Sequence, residues 1–394
     1  MIPPTENHEP YTDTYFLRSK RILEAEGLDP LVRYQFFIRK GPGTLAGMDE
    51  TVRFLASHMS TGTIRALSDG DRYAPKETLM VVEGHVQELI DLETVALGIL
   101  TKRTSIANGL SDVNLADITA RMRTIVEATK GRFAPEGRPV SYFGARHWAP
   151  EDDPAIARAA YDGGATSCST DIGAATYGAR GIGTIPHALE NVYAWKHGRD
   201  RAVVEATKAF DRVIEPSVPR IALIDYNNKE VDDAIATADA LCGRLAGVRI
   251  DTCGENVGQG ALAAYDRAAA RALFGKDVHI PPEDAPFWFG TGVTVTGTYA
   301  VRDALDRTGH ADVKIILSSG FGDPNKVAAF TRAEEILGVR LYDGLGVGGV
   351  YPSWMATGDI VAVGDRYGAL EGISKVGRPY RGNDRLAQTY GGAA

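Results

Sequence analysis

Several residues of this chain have the types and spacing that phosphate and sugar chemistry needs. Asp225 closes the apolar run RIALIDYN (220–227), and Asp251 closes GVRIDT (247–252). A carboxylate at such a place holds sugar hydroxyls, or a magnesium ion on a pyrophosphate group directly or through water; Asp225 equally suits the N-cap of a following helix. Arg249 stands two residues before Asp251, on the same face of a strand. The two can reach into a common site or form a structural ion pair. Two glycine-bearing segments, SSGFGD (318–323) and GLGVGG (344–349), allow backbone N–H groups to approach phosphate oxygens with no Cβ in the way. Either segment alone is an ordinary tight turn, but the two in succession favour a phosphate cradle. His187, in GIGTIPHAL (181–189), follows a Gly/Thr/Pro turn near a helix start. It suits capping or packing, and also a nucleophile or proton shuttle, since imidazole titrates near neutrality.

The elements that must position these groups alternate between strand and helix. From about residue 138, short apolar runs ending in small or polar residues recur, several of them about 26 residues apart: 139–146, 165–170, 220–227, 247–252, 313–321 and 339–349. That spacing fits strand, helix and return loop in right-handed crossovers, and predicts a parallel α/β barrel, with an open doubly wound sheet as the alternative. The helix before Arg249, EVDDAIATADALCGRLAG, has acidic residues in its first turn and a glycine near its end. In a barrel the site lies at the C-terminal strand ends. Read in order these give Phe143, Arg146 and His147; Ser169, Thr170 and Asp171; Asp225; Arg249 and Asp251; Ser318, Ser319 and Gly320; and Gly344, Gly346, Gly348 and Gly349.

The first part of the chain reads as α+β, with strands expected over 32–40 and 79–90 and a helix over 93–110. The segment 359–382 is strand-like and basic, and is expected to pack back onto it. The expected organisation is an N-terminal α+β domain (1–125), an incomplete TIM-like α/β barrel (126–355), and a C-terminal segment (356–394) that completes the first domain.

Composition excludes several classes. With 44% hydrophobic and 24% charged residues in 394, the chain is neither disordered nor fibrous. A net charge of −8 disfavours a general nucleic-acid binder. No run approaches the ~20 apolar residues of a membrane span, and the start, MIPPTENHEP, lacks a signal-peptide layout, so a cytoplasmic protein is expected. Cys168, Cys242 and Cys253 form no CxxC pair and read as reduced thiols.

Six segments in order, FGARHWAP (143–150), GTIPHAL (183–189), ALIDYNN (222–228), VRIDT (248–252), ILSSGFGD (316–323) and GLGVGG (344–349), together resemble the nicotinate phosphoribosyltransferases and their nicotinamide-using relatives; YTDTYF (11–16) and ETVALGIL (93–100) extend the likeness over most of the chain. The resemblance implies formation of nicotinate mononucleotide from nicotinate and 5-phosphoribosyl-1-pyrophosphate, with magnesium, and with nicotinamide or another pyridine base as the variant. Phe143 then resembles the aromatic that stacks on the base, with Tyr15 of a neighbouring subunit opposite it, implying a homodimer or higher homo-oligomer. Arg146 resembles the arginine beside base and pyrophosphate. Asp225, Arg249 and Asp251 resemble the ribose-holding and base-orienting set, and Ser319, Gly320, Gly346, Gly348 and Gly349 the 5-phosphate cradle. His187 resembles a histidine that some members phosphorylate with ATP.

Three departures bear on substrate. The family's Asp-Ser-Gly is replaced by Asp251-Thr252-Cys253-Gly254, followed by Glu255 and Asn256. The stretch 258–298 is longer than its counterpart, so that Phe287, Trp288 and Phe289 either line the site mouth or pack locally. Asp171, beside Ser169 and Thr170, stands near a position where nicotinamide-using members carry an aspartate; its charge would repel a carboxylate and accept from an amide. An aldolase- or isomerase-like barrel would need a base or lysine at a strand end, for which Lys229 and Lys314 are poorly placed, and a non-catalytic phosphoribosyl binder is the remaining alternative.

Overall fold

A computed structural model describes residues 6–391. Two sheets carry the molecule. The first is antiparallel, in the order Ala356–Gly364, Leu31–Ile38, Thr78–His85, Thr63–Ala66, Ala387–Gly391. Its central strands are rich in β-branched and aromatic residues and are buried almost throughout. Both edge strands come from the end of the chain, so the C-terminal segment completes the N-terminal sheet. The expected strand over 79–90 stops at His85, because its partner begins at Leu31, which pairs with His85. The chain then turns into the short helix Val86–Leu89.

The second sheet is parallel, with six strands in the order Ser167–Cys168, Val140–Tyr142, Gly344–Val347, Lys314–Leu317, Leu245–Ile250, Arg220–Leu223. It curls into a half-barrel and is not an open doubly wound sheet. The gap between its edge strands is spanned by the glycine- and proline-containing segment 181–187. Ile182 N donates to Cys168 O at 2.9 Å, and Thr184 Oγ1 donates to Ile221 O at 2.7 Å. Proline has no N–H to give to a ladder and glycine adds no packing, so the segment closes the gap without becoming a strand. It delivers His187 to the first position of the helix His187–His197.

Between the sheets runs the helix Glu93–Ala107, buried along most of its length. A helix apolar on nearly every side requires neighbours on every side. Helix Glu230–Leu241 has the expected acidic first turn, but its left-handed C-cap is Cys242, with φ 49°, one residue before the glycine. The aromatics of the 258–298 stretch pack locally. Trp288 is fully buried against Phe274, with ring centroids 5.8 Å apart, and Phe289 is buried beside it. No described helix is long and apolar enough to cross a membrane.

Candidate functional site

The C-terminal ends of the parallel strands face the antiparallel sheet across a cavity of about 760 Å³. Tyr15, Phe143, Arg146, His187, Arg249, Asp251, Ser319, Gly320, Gly346, Gly348 and Gly349 all line it. Residues as far apart in sequence as Phe143 and Gly349 therefore converge because four strands end at one level.

At one side lie the two glycine loops. After strand Lys314–Leu317 the chain passes through Ser319 and Gly320, both left-handed with φ of 70° and 83°, before the helix Pro324–Leu337 capped by Asp323. The loops touch backbone to backbone: a Cβ on Gly322 would lie 2.0 Å from Gly349 O. Lys326 donates to Ser319 O at 3.0 Å, and Arg121 to Gly322 O at 3.0 Å. Burial brings the Lys326 ammonium down to about 8, against the opposing pull of Asp251 and Asp323. The arrangement concentrates N–H groups and cations where an anionic ligand would sit.

At the other side, Phe143 packs so closely over strand Gly344–Val347 that a Cβ on Gly346 would meet its ring at 2.6 Å. Arg146 donates to Glu93 at 2.8 Å and to the Tyr15 hydroxyl, has Asp13 at 3.5 Å, and lies 5.7 Å over the Tyr15 ring. Tyr15 thus reaches the cavity of its own chain. Neighbouring His147 is held neutral, pushed down to about 3 by burial and by the Arg146 charge.

Between these two sides stand Arg249 and Asp251. Ser318 Oγ donates to Asp251 at 2.9 Å, and Arg249 donates to Ser318 Oγ at 3.2 Å and to Ile185 O at 3.3 Å, with its guanidinium 3.6 Å from Asp251. Asp225 is placed differently from expectation. It is 1% exposed and does not line the cavity; one oxygen meets His187 Nε2 at 3.0 Å and the other accepts from Lys375. Buried behind the cavity lining, it presents no oxygen to the cavity. Burial favours its neutral form, but Lys375 and His187 outweigh that and hold the carboxyl well below its ordinary value.

Ser169, Thr170 and Asp171 also lie outside the cavity lining. Ser169 O accepts from Thr14 N at 2.8 Å; Thr170 caps the helix Asp171–Ala175 and donates to Asp153 at 2.5 Å; Asp171 accepts from Gly181 N at 2.8 Å. They anchor the N-terminal helix and the gap-spanning segment, because the strand carrying them is only two residues long and turns away at once. Lys229 pairs with Asp200 at 2.8 Å on the surface and Lys314 is exposed, so neither serves a lysine chemistry in the cavity.

Sequence reasoning missed Arg39, Arg121, Lys375 and Arg378, which line or border the same space. Arg39 directly follows the antiparallel strand Leu31–Ile38, Arg121 is on the helix Leu115–Ala128 and the other two are in the C-terminal segment, so none stands at a parallel-strand end; only the basic character of 359–382 hinted at the last two. The segment after Asp251 holds Arg39 and the C-terminal residues in place. Asn256 Nδ2 donates to Val376 O at 3.0 Å, Cys253 is buried against Gly377, and Glu255 pairs with Arg39 and Lys76. It is a dock for the C-terminal segment.

Residues 13–104 match the family described as quinolinate phosphoribosyl transferase, N-terminal domain. A nicotinate phosphoribosyltransferase of Mycobacterium tuberculosis is 30% identical over 203 residues, 51% of this chain and 41% of that protein. The chain thus spans about two fifths of the length of the curated relatives it matches. Solved nicotinate phosphoribosyltransferases share the fold: that of Vibrio cholerae with TM-score 0.62, 12% identity and coverage of 95% and 91% of the two chains, and that of Porphyromonas gingivalis with TM-score 0.60, 12% identity and coverage of 97% and 95%. The parallel half-barrel and the antiparallel sheet that the C-terminal segment completes give this chain the type II phosphoribosyltransferase fold, which it shares with those solved structures.

Proposed function

We propose that the protein joins nicotinate to 5-phosphoribosyl-1-pyrophosphate, giving nicotinate mononucleotide and pyrophosphate. The observation that carries this reading is one cavity lined in turn by a double glycine loop, an Arg249–Asp251–Ser318 cluster, and the Phe143 ring packed on Gly346 together with Arg146. The ring nitrogen of the base attacks the anomeric carbon, and the carbon–oxygen bond to pyrophosphate breaks, its electron pair leaving with pyrophosphate. Little proton transfer is needed, so the contribution of the protein is alignment and charge stabilisation. Phe143 is suited to stack on the base, Ser319–Gly320 and Gly346–Gly349 to hold the 5-phosphate, and Arg249 to face the departing charge.

Magnesium bound mainly through substrate phosphates needs only one or two protein carboxylates. Asp251 fits that need, lining the cavity with 28% of its side chain exposed, whereas Asp225 is buried outside the lining. No group of three or more His, Cys, Asp or Glu side chains among the described residues is arranged to hold a metal without substrate. When bound, the ion would offset pyrophosphate charge. Coupling to ATP through His187 belongs to the same proposal, as does a homodimer in the cytoplasm; the three cysteines, all free, suit a reducing compartment.

A second reading, nicotinamide as the base, is favoured by one feature. Arg146 already donates to Glu93 at 2.8 Å and to the Tyr15 hydroxyl, with Asp13 at 3.5 Å, which leaves fewer of its N–H groups for a base carboxylate. Incubation with phosphoribosyl pyrophosphate, magnesium and nicotinate, nicotinamide or quinolinate in turn, with mononucleotide read by mass, tests both. Nicotinate mononucleotide alone is the expected product, and no product from any base would overturn the proposal.

A further inference from the structure

Asp225 carries its charge in a dry place. A buried carboxylate requires a positive partner, and two neighbours compete for that role: the imidazole of His187 and the ammonium of Lys375. If His187 supplied the charge, both of its nitrogens would carry protons and neither could accept one or act as a nucleophile. If Lys375 supplies it, the imidazole is free to stay neutral.

We propose that Lys375 is a positioning residue of the site: by providing the cation that Asp225 requires, it keeps His187 a neutral imidazole with Nε2–H on Asp225 and an available lone pair on Nδ1. The meaning of this for turnover rests on the phosphoribosyltransferase reading, but its test does not.

The geometry supports the assignment from each element packed around the ring. Lys375 is 5% exposed, and its Nζ also donates to Asp251 O at 3.1 Å, so the ammonium is fixed at two points. The segment that bears it is held from both sheets. Val376 N donates to Tyr226 O at 3.0 Å, Gln35 Nε2 to Pro379 O at 2.9 Å and Thr78 Oγ1 to Arg381 O at 2.6 Å. Arg249 is turned to Ser318 and Ile185, and the Asp251 side chain to Ser318 and Arg249. On the helix of His187 itself, Glu190 is fully buried with neither carboxyl oxygen partnered, and burial together with Asp225 and Asp233 pushes it well above the carboxylate range. A neutral Glu190 does not compete for Lys375. Burial, then Lys375, lower the His187 imidazolium, while Asp225 and Asp251 oppose them, and the net direction is down.

Imidazole nitrogen-15 shifts on histidine-labelled wild-type protein, with His187 identified by its absence in His187→Gln, read the protonation state directly. The expected pattern near neutral pH is a neutral ring protonated at Nε2; an imidazolium pattern overturns the proposal. In Lys375→Gln, His187 should titrate at higher pH than in the wild type, and in Lys375→Arg it should return toward the wild-type midpoint. An unchanged midpoint in folded Lys375→Gln, checked by thermal melting, equally overturns it. If that variant does not fold, the wild-type ring pattern decides alone. If the wild type makes no mononucleotide from any base, the phosphoribosyltransferase reading falls and the ring pattern still judges Lys375. With turnover present, the acidic limb of kcat should move to higher pH in Lys375→Gln, about tenfold for each unit moved.

Discussion

The role of a single side chain here depends on which way its strand leaves it. Asp171 and Asp251 both follow short apolar runs, yet only Asp251 faces the cavity; Asp171 holds Gly181 N at 2.8 Å. Asp171→Ser should therefore leave the ratio of kcat/KM for nicotinate and nicotinamide unchanged, while lowering stability by about 1 kcal/mol through the lost hydrogen bond. A changed base ratio in steady-state kinetics would restore Asp171 to the specificity set. The opposite outcome is expected at Gly346. A Cβ there would sit 2.6 Å from the Phe143 ring and 3.5 Å from Ser318, so Gly346→Ala must displace the ring. The KM for the base should rise roughly tenfold, equivalent to about 1.4 kcal/mol. The KM for phosphoribosyl pyrophosphate should change much less, and initial rates with each substrate varied separately check the split.

At the level of elements, the two glycine loops act as one unit because their backbones touch. Alanine at Gly322 would place a methyl group 2.0 Å from Gly349 O, where no flexible side chain can yield. Gly322→Ala should force the loops apart and weaken phosphoribosyl pyrophosphate binding by at least about tenfold. Calorimetric titration of that ligand measures it, and wild-type affinity would mean that the loops are not the phosphate cradle. These loops were legible in the sequence because glycine spacing and strand ends are local signals. The strands Arg220–Leu223, Leu245–Ile250, Lys314–Leu317 and Gly344–Val347 were legible for the same reason. What stayed hidden depends on contacts between distant segments. The edge strand Ala387–Gly391 exists because Thr63–Ala66 offers it a partner, and Lys375 reaches Asp225 on a chain segment docked by Asn256, Tyr226, Gln35 and Thr78. The run 339–349 yields a strand only from Gly344, since Asp343 is spent turning the chain against Ile315. Asp225 illustrates the limit: its strand-end position was readable, but its two partners, His187 and Lys375, which hold it outside the cavity lining, were not.

For the whole molecule, the junction of barrel and N-terminal domain is sensitive to pH through Asp153. This carboxyl is 2% exposed and accepts from Thr170, whose backbone pairs with Asp13 in the N-terminal segment, while its second oxygen has no partner. Burial raises it to about 7; the Thr170 hydrogen bond opposes the rise and the Asp13 charge adds to it. The unfolded chain titrates near 3.8, so above that value the unfolded state has shed a proton that the folded state still keeps. The group's contribution to stability is thus fully present below 3.8 and is lost as pH rises through about 7. Asparagine keeps the acceptor for Thr170 and never ionises. Asp153→Asn should therefore melt close to the wild type near pH 4 and above it at pH 8, each kcal/mol of the difference appearing as about 2–4 °C. Comparing the two proteins at each pH isolates this group, because Asp233, also raised to about 7 by burial, is common to both. A gap in melting temperature that stays constant with pH would mean that Asp153 is already ionised in the folded protein, and that the junction tolerates the charge.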